Sequence, residues 1–276
     1  MTERITVANA AYQARICAIL LTGDKSAPRN QVITEEIAGR MRYNADQPVI
    51  TLKHRKLNYA FMFAEAAWLL SGCDEVDRLA RYMNGIRKFS DDGIHLAGAY
   101  GPKFVVQEDY VLDALTRDSD TRQAVMTIWE RNPGPSKDLP CTISVQFLIR
   151  GDLMHAVVCM RSSDVYLGVP YDMFSFAMMV HYMCARYREN TGKRVQPGHV
   201  DIMMGSSHAY DRDSDKLQEC MNAEVYGQYE TINPHVFISS RDIVNALWSL
   251  ANADLCGIKG LDQFQPLVAQ REWTTK

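Results

Sequence analysis

The sequence predicts a protein of mixed α/β (α+β) class that folds as one domain. Apolar residues recur at helical spacing over residues 6–22, whereas residues 142–150 alternate in the manner of a β-strand. No stretch rich in proline, glycine and serine divides the 276 residues, so we expect residues 1–276 to form a single domain.

The composition argues against several classes of function. The chain has 47% hydrophobic and 23% charged residues and a formal net charge of -3, which gives no basic footprint for nucleic acid. It has no run of 18 apolar residues and no signal-peptide pattern, so we expect a cytoplasmic protein without membrane contact. The seven cysteines include no CxxC pair, which suggests neither a disulfide framework nor a zinc site. We therefore expect a small-molecule partner and no metal.

Helices are predicted where apolar residues recur every three to four positions. The first helix ends at Gly23, and the helix over 58–71 is apolar nearly all round and ends at Gly72, as a buried helix does. The predicted helices cover, in order, residues 6–22, 58–71, 74–82, 108–117, 172–189, 213–223 and 241–252.

Strands are predicted where β-branched and apolar residues alternate between turn residues. Arg150-Gly151-Asp152 joins two of them as a hairpin. Cys141 follows Pro140 after a polar loop and directly precedes a strand, so we expect its thiol at a strand mouth. The predicted strands cover, in order, residues 33–43, a segment ending near 130, and residues 142–150, 154–161, 199–204 and 234–239.

Three motifs between residues 138 and 210 carry the chemically reactive side chains. They are Asp138-Leu139-Pro140-Cys141, Arg161-Ser162-Ser163-Asp164 with the following segment to Asp172, and Gly205-Ser206-Ser207-His208-Ala209-Tyr210. Each motif lies at the end of a predicted element. We therefore expect the three motifs to form one pocket.

Glu65 is the only charged residue in the apolar helix over 58–71. Burial disfavours the charged form of a carboxyl group, so the pKa of Glu65 should rise, as a general acid or base requires. The alternative is a side chain that points to solvent from a thin polar stripe.

These motifs resemble the thymidylate synthase family. That family carries Pro-Cys ahead of a strand with Gln-Phe, here Pro140-Cys141 and Gln146-Phe147, and its next block begins Arg-Ser-x-Asp, here at Arg161. Its helical Glu-x-x-Trp corresponds to Glu65 and Trp68. The resemblance implies the family's fold, a large twisted mixed sheet packed back to back in a homodimer, with helices on the other face.

The resemblance also implies roles for individual residues. Cys141 would add to C6 of a pyrimidine nucleotide with its pKa depressed by Arg161, while Glu65 would move protons and orient water. The implied nucleotide contacts are Arg29, Gln146, Arg161, Ser162, Asp172, His208, Tyr210, and Arg122 reaching the partner subunit's site. The implied contacts to 5,10-methylenetetrahydrofolate are Asp164, Gly168, Ile86 and Phe89.

The sequence departs from the family pattern at several positions. Gln123 replaces the second of two phosphate-binding arginines, and Ser206 replaces an aspartate. Ile86 and Phe89 replace two tryptophans, which leaves room for water beside the reacting carbon. Thr142 and Asp138, which flank the nucleophile motif, resemble the hydroxymethylase branch of the family.

Asp172 stands where thymidylate synthases carry asparagine, and this resembles the deoxycytidylate hydroxymethylases. A carboxyl group that shares a proton with N3 of cytosine also accepts from its 4-amino group. A carboxylate facing O4 of uracil would instead cost a few kcal/mol. The alternative is that Asp172 only caps the following helix.

The resemblance therefore implies one-carbon transfer from 5,10-methylenetetrahydrofolate to C5 of dCMP, with water completing 5-hydroxymethyl-dCMP. A dCMP C5-methyltransferase and a CMP 5-hydroxymethylase remain alternatives. A dUMP-specific thymidylate synthase and a non-catalytic nucleotide-binding relative are further ones. By analogy the branch suggests phage DNA modification in the host cytoplasm.

Overall fold

The computed structural model describes residues 7–225, 229–253 and 260–269. Helices and strands are interspersed along these residues, with short 3-10 turns between some of them. In chain order they are α1 (Ala8–Thr22), β1 (Asp24–Ser26), β2 (Ile33–Asn44), α2 (Tyr59–Leu70), α3 (Val76–Ala80), α4 (Gly101–Arg117), β3 (Val125–Thr127), β4 (Thr142–Arg150), β5 (Leu153–Asp164), α5 (Val169–Thr191), β6 (Gln196–Tyr210), α6 (Ser214–Met221), α7 (Ser240–Ala251) and α8 (Gln265–Ala269).

The six strands form one mixed sheet in the order β1-β2-β6-β5-β4-β3. β5 and β6 are parallel, and the other neighbouring pairs are antiparallel. A parallel pair needs a long crossover, which here is the 23-residue helix α5. The expected α+β class is confirmed.

The topology brings the three reactive motifs to one end of the sheet. β5 and β6 run in the same direction and end together, where Asp164 pairs with His208. β4 runs the opposite way, so its first residue, Thr142, lies at that same end, with Cys141 directly before it. The start of β2 at Ile33 lies there too, because it pairs with the end of β6.

The helix α2 is mostly buried. Ten of its twelve residues are buried, and Glu65 is one of the two that are not. Asn58 caps the helix by accepting from the backbone N–H of Phe61 at 3.0 Å. Phe63 packs edge to face against Phe174 of α5 with ring centroids 5.2 Å apart. The predicted buried helix over 58–71 is thus confirmed.

Some predicted boundaries are wrong. Residues 234–239 were expected to form a strand, but Pro234–Val236 is a 3-10 turn whose first residue has no N–H to donate to a sheet. Residues between the first predicted helix and the first predicted strand contain β1 and a second 3-10 turn, Pro28–Asn30. Helix α4 begins at Gly101 rather than at 108, because Pro102 fits the first helical turn.

In the described parts of the chain, no helix combines the length and apolar character that crossing a bilayer requires.

The backbone of β2 is strained at Ala38. This residue has φ +60°, and the sheet pairing skips it between Ile37 and Gly39. A left-handed conformation costs a residue with a Cβ atom roughly 1–2 kcal/mol. Gly39 has a different constraint, because a Cβ there would lie 2.7 Å from the Cβ of Ser207.

Replacing Ala38 by glycine should therefore stabilise the protein. Relief of strain, less the added entropy of the unfolded chain, should raise the free energy of unfolding by about 0.5–1 kcal/mol. Urea denaturation of both proteins measures the difference. As a matched control, Gly39→Ala should lower the free energy of unfolding, and a destabilised Ala38→Gly variant contradicts the strain at this site.

Candidate functional site

Cys141 lies at the mouth of β4 and is partly buried. Its Sγ atom is 3.8 Å from the Oγ atom of Ser162 on the neighbouring strand. The backbone of the two strands is joined here by the N–H of Arg161, which donates to the carbonyl of Cys141 at 2.8 Å. The Pro-Cys step thus predicted the location of the thiol correctly.

Arg161 holds the chain that leads into the cysteine. Its guanidinium donates to the carbonyls of Pro140 and Leu139, each at 3.0 Å, and to the hydroxyl of Ser162 at 3.1 Å. The same group lies 5.6 Å from the ring centroid of Trp129. Such a planar fork of donors is specific to arginine, so this residue fixes both the loop and a positive charge near the thiol.

The electrostatics of the thiol differ from the expectation. Burial raises the pKa of Cys141 above its usual value, and the charge of Arg161 opposes that rise without cancelling it. The charge of Arg161 thus lowers the pKa as expected, but burial outweighs it, so a net depression of the thiol pKa is not found. Desolvation has a larger effect on the thiol pKa than the charge of Arg161, because the thiol lies at the edge of the core rather than in open solvent.

A cavity of about 160 Å³ lies between α2, the start of α5 and the loop ahead of α4. It combines an apolar wall with several polar groups. Its apolar lining includes Trp68, Leu69, Leu79, Ile86 and Leu96. Its polar lining is Glu65, Tyr100, Asp138, Asp172 and Ser175.

Glu65 and Asp172 both titrate far from their usual range. Burial raises the pKa of Glu65 to about 8, and the negative charge of Asp172 adds to this rise. Burial likewise raises the pKa of Asp172 to about 7. Both groups can therefore hold a proton near neutral pH, as acid–base chemistry requires. The alternative of a solvent-facing Glu65 is excluded, since its carboxyl group is desolvated and the residue lines the cavity.

Asp172 does not cap α5. That helix begins at Val169, and its N-cap position, Gly168, has no side-chain cap. Asp172 lies one turn further on, where its backbone N–H donates to the carbonyl of Gly168 at 3.0 Å. The residue lines the cavity instead, and the absence of a side-chain cap on α5 excludes the capping alternative.

His208 and Tyr210 lie at the C-terminal end of β6. Their rings pack edge to face with centroids 5.4 Å apart. The Nδ1 atom of His208 is buried and has no hydrogen-bond partner in the described structure, which is unusual for a buried polar atom. Sequence reasoning missed Arg212, whose guanidinium lies 4.1 Å from the centroid of the Tyr210 ring.

Asp164 and Gly168 shape the turn between β5 and α5. The Oδ1 atom of Asp164 accepts from the N–H groups of Tyr166 and Leu167 at 2.9 and 3.1 Å. The N–H of Gly168 closes the turn by donating to the carbonyl of Asp164 at 2.9 Å. Both residues thereby position the first turn of α5, which carries Asp172.

Other predicted site residues lie outside the cavity. Arg29 is exposed in the turn Pro28–Asn30, and Arg122 is exposed ahead of β3. Gln146 donates to the carbonyl of Arg122 at 2.8 Å, on the face of β4 opposite the buried Val145. Phe89 is 43% exposed and does not line the cavity, whereas Ile86 does.

The part of the chain that carries the three motifs and the cavity is similar to known proteins. Residues 10–243 match the thymidylate synthase family. The chain belongs to this family. Thymidylate synthases transfer a one-carbon unit from 5,10-methylenetetrahydrofolate to a nucleoside monophosphate.

A curated relative is the deoxyuridylate hydroxymethyltransferase of Bacillus phage SP01. It is 29% identical to the chain over an alignment of 179 residues, and the alignment covers 57% of this chain and 46% of the relative. The chain thus matches about half the length of that relative.

A carboxylate from a neighbouring strand lies near the third motif, in which serine replaces the family's aspartate. The hydroxyl of Ser206 donates to Glu35 on the adjacent strand β2, and so does the hydroxyl of Ser26. These two donors lower the pKa of Glu35. Sequence reasoning missed Glu35, because only the strand register reveals that it lies opposite His208.

The carboxyl group of Glu65 is desolvated although the residue as a whole is half-buried, and this predicts a pH-dependent stability. Its pKa is about 8 in the folded protein against an ordinary value of 4.5. As pH rises between these values, the unfolded chain loses the proton and the folded chain keeps it, so stability falls until the folded group ionises. The Glu65→Gln variant should therefore match the wild type near pH 4 and exceed it above pH 8 by about 2–4 kcal/mol.

Urea denaturation at several pH values measures this effect. Asp113→Asn is the matched control, because Asp113 is exposed on α4. That control should show no comparable gain at high pH. A Glu65→Gln difference that stays constant with pH contradicts the burial of an ionisable carboxyl group.

Proposed function

We propose that the protein transfers a one-carbon unit from 5,10-methylenetetrahydrofolate to C5 of dCMP and completes the transfer with water, giving 5-hydroxymethyl-dCMP. The observation that supports this most strongly is Asp172, a carboxyl group with a pKa of about 7 that lines a cavity rich in carboxyl groups. Its charge also acts on the thiol of Cys141, which supports a common site for the two groups.

Cys141 starts the reaction by adding its thiolate to C6 of the pyrimidine. This addition turns C5 into a nucleophile. The charge of Arg161 opposes the rise in the thiol pKa that burial causes. Its hydrogen bonds to the carbonyls of Pro140 and Leu139 hold the backbone that leads into Cys141 at the mouth of β4. The folate supplies the methylene carbon that C5 takes up. Loss of the C5 proton and of tetrahydrofolate then leaves an exocyclic methylene group on the nucleotide.

The cavity lining fits the folate cosubstrate. Trp68, Leu79 and Ile86 offer an apolar wall for a flat conjugated ring. Asp164 and Gly168 shape the turn beside the site, and we propose that this shape is their contribution to folate binding. A contact between Phe89 and folate stays a prediction.

Asp172 supports the choice of base. A protonated carboxyl group has one O–H donor and one carbonyl acceptor. Cytosine offers N3 as an acceptor and its 4-amino group as a donor, so Asp172 can satisfy both. With a pKa of about 7, the carboxyl group can share its proton with N3 at neutral pH.

The remaining proposed nucleotide contacts lie at the end of the sheet that carries Cys141. Ser162 and Arg161 lie beside the thiol, and His208 pairs with Asp164 at the same end of the sheet, where it would contact the sugar. Arg29 lies in the turn that leads into β2 at this end, where a phosphate is expected. Tyr210 completes the sugar site as the ring partner of His208.

We further propose that two copies pack sheet to sheet, so that Arg122 reaches the partner subunit's phosphate site. Apolar side chains on the outer face support this arrangement: Ile37, Ile143 and Met203 are 71%, 39% and 48% exposed. Covering them removes apolar surface from water. We propose a single catalytic domain that acts in the cytoplasm, and the phage origin of the relative supports a role in phage DNA modification.

The second candidate is 5-hydroxymethylation of dUMP. The relative from Bacillus phage SP01 is named for deoxyuridylate. A neutral Asp172 can also present its acceptor to N3–H and its donor to O4 of uracil. A carboxylate cannot, so this candidate requires Asp172 to stay protonated.

Mass spectrometry of the products tests both candidates. The wild type is incubated with 5,10-methylenetetrahydrofolate and either dCMP or dUMP, and we expect a gain of CH2O on dCMP. In Asp172→Asn, kcat/KM for dCMP should fall about 100-fold and that for dUMP should rise, because an amide complements uracil. Asp113→Asn serves as the control.

Three outcomes contradict the first proposal. A gain of CH2 means that hydride rather than water completes the transfer. Turnover of dUMP alone supports the second candidate. An unchanged base preference in Asp172→Asn removes Asp172 from the choice of base.

A further inference from the structure

The cavity contains a third carboxyl group, Asp138, which the mechanism above does not use. Asp138 lies three residues before Cys141, is partly buried, and lines the cavity together with Glu65 and Asp172. Its charge acts on the thiol of Cys141, so it belongs to the same site.

A close backbone contact fixes the position of Asp138. Its Oδ2 atom accepts from the N–H of Gly98 at 2.8 Å. A Cβ atom at residue 98 would lie 2.7 Å from the carbonyl oxygen of Asp138 and 2.9 Å from Oδ2, so only glycine allows this approach. The second carboxylate oxygen has no hydrogen-bond partner among the described residues, which leaves it available to a water molecule in the cavity.

The three carboxyl groups differ in what they can do near neutral pH. With a pKa of about 8, Glu65 keeps its proton and suits a donor better than an acceptor. Asp172 faces the base in the proposed function. Burial also raises the pKa of Asp138, while the N–H of Gly98 favours its carboxylate form. It is thus a stronger base than a surface aspartate and still accepts protons.

We propose that Asp138 accepts the proton of the water molecule that adds to the exocyclic methylene carbon, a role that rests on the proposed hydroxymethyl transfer. The water oxygen forms a bond to the methylene carbon, and the electrons of the C5–CH2 double bond move to form C5=C6. The C6–S bond breaks, Cys141 leaves as a thiolate, and the water proton passes to Asp138. Electrons and atoms balance without an oxidant or reductant.

The Asp138→Asn variant tests this role with two readouts. Asparagine keeps the volume and the acceptor for Gly98 but is no base. Tritium release from nucleotide labelled at C5 reports every step up to the exocyclic methylene, and product analysis reports water addition. In a single turnover, using dCMP or dUMP according to which the wild type accepts, we expect tritium release within about threefold of the wild type and hydroxymethyl product about 30-fold slower.

Two further signatures distinguish a base from a structural residue. Added 2-mercaptoethanol should capture the accumulated methylene group as a thioether on the nucleotide in Asp138→Asn. The residual product rate of this variant should also rise with pH, because hydroxide replaces the missing base. Asp138→Glu should restore part of the hydroxymethyl product, since it restores a carboxylate.

Asp113→Asn is the control. Asp113 is exposed on α4 and does not line the cavity, so both readouts should match the wild type. Hydroxymethyl product at the wild-type rate in Asp138→Asn overturns the inference. Equal loss of tritium release and product also overturns it, as would a lack of rescue by Asp138→Glu. Absence of tritium release from the wild type overturns the proposed function itself, and this inference with it.

Discussion

The parallel pairing of β5 with β6 is the constraint on which the site depends. Because both strands run the same way, the chain must return along α5 before β6 can begin. The first turn of α5 therefore lies where β5 ends, and this turn carries Asp172. The same pairing places Asp164 beside His208. One topological requirement thus assembles side chains that are more than forty positions apart in sequence.

Desolvation then gives the assembled groups different chemistry. Glu65 and Asp172 face one cavity, and their pKa values rise to about 8 and about 7. Asp138 is only moderately buried and is contacted by a backbone N–H, which favours its charged form. Carboxyl groups with separate proton affinities can divide the tasks of proton donor, base reader and proton acceptor. Such an arrangement costs stability, because the charged forms lose their hydration on folding.

Local sequence pattern was sufficient for features that one element decides. The apolar surroundings of Glu65 predicted its burial and the rise of its pKa, and the Pro-Cys step predicted the place of Cys141 at a strand mouth. Features decided by contacts distant in sequence were not predictable in this way. The register of β2 against β6 places Glu35 near Ser206, and the effect of burial on Cys141 exceeds that of Arg161. Ile86 and Phe89 lie in a short 3-10 segment, where sequence alone does not fix which side chains face inward, and only Ile86 lines the cavity.

The central claim is a covalent bond between the sulfur of Cys141 and C6 of a pyrimidine. It is tested most directly by intact-protein mass spectrometry after incubation with 5,10-methylenetetrahydrofolate and either 5-fluoro-dCMP or 5-fluoro-dUMP. Fluorine cannot leave C5 as a cation, so the adduct cannot resolve. We predict an adduct of nucleotide and folate on the peptide with Cys141, more abundant with 5-fluoro-dCMP and absent from Cys141→Ser. No adduct in the wild type, or an adduct on another cysteine, contradicts the account.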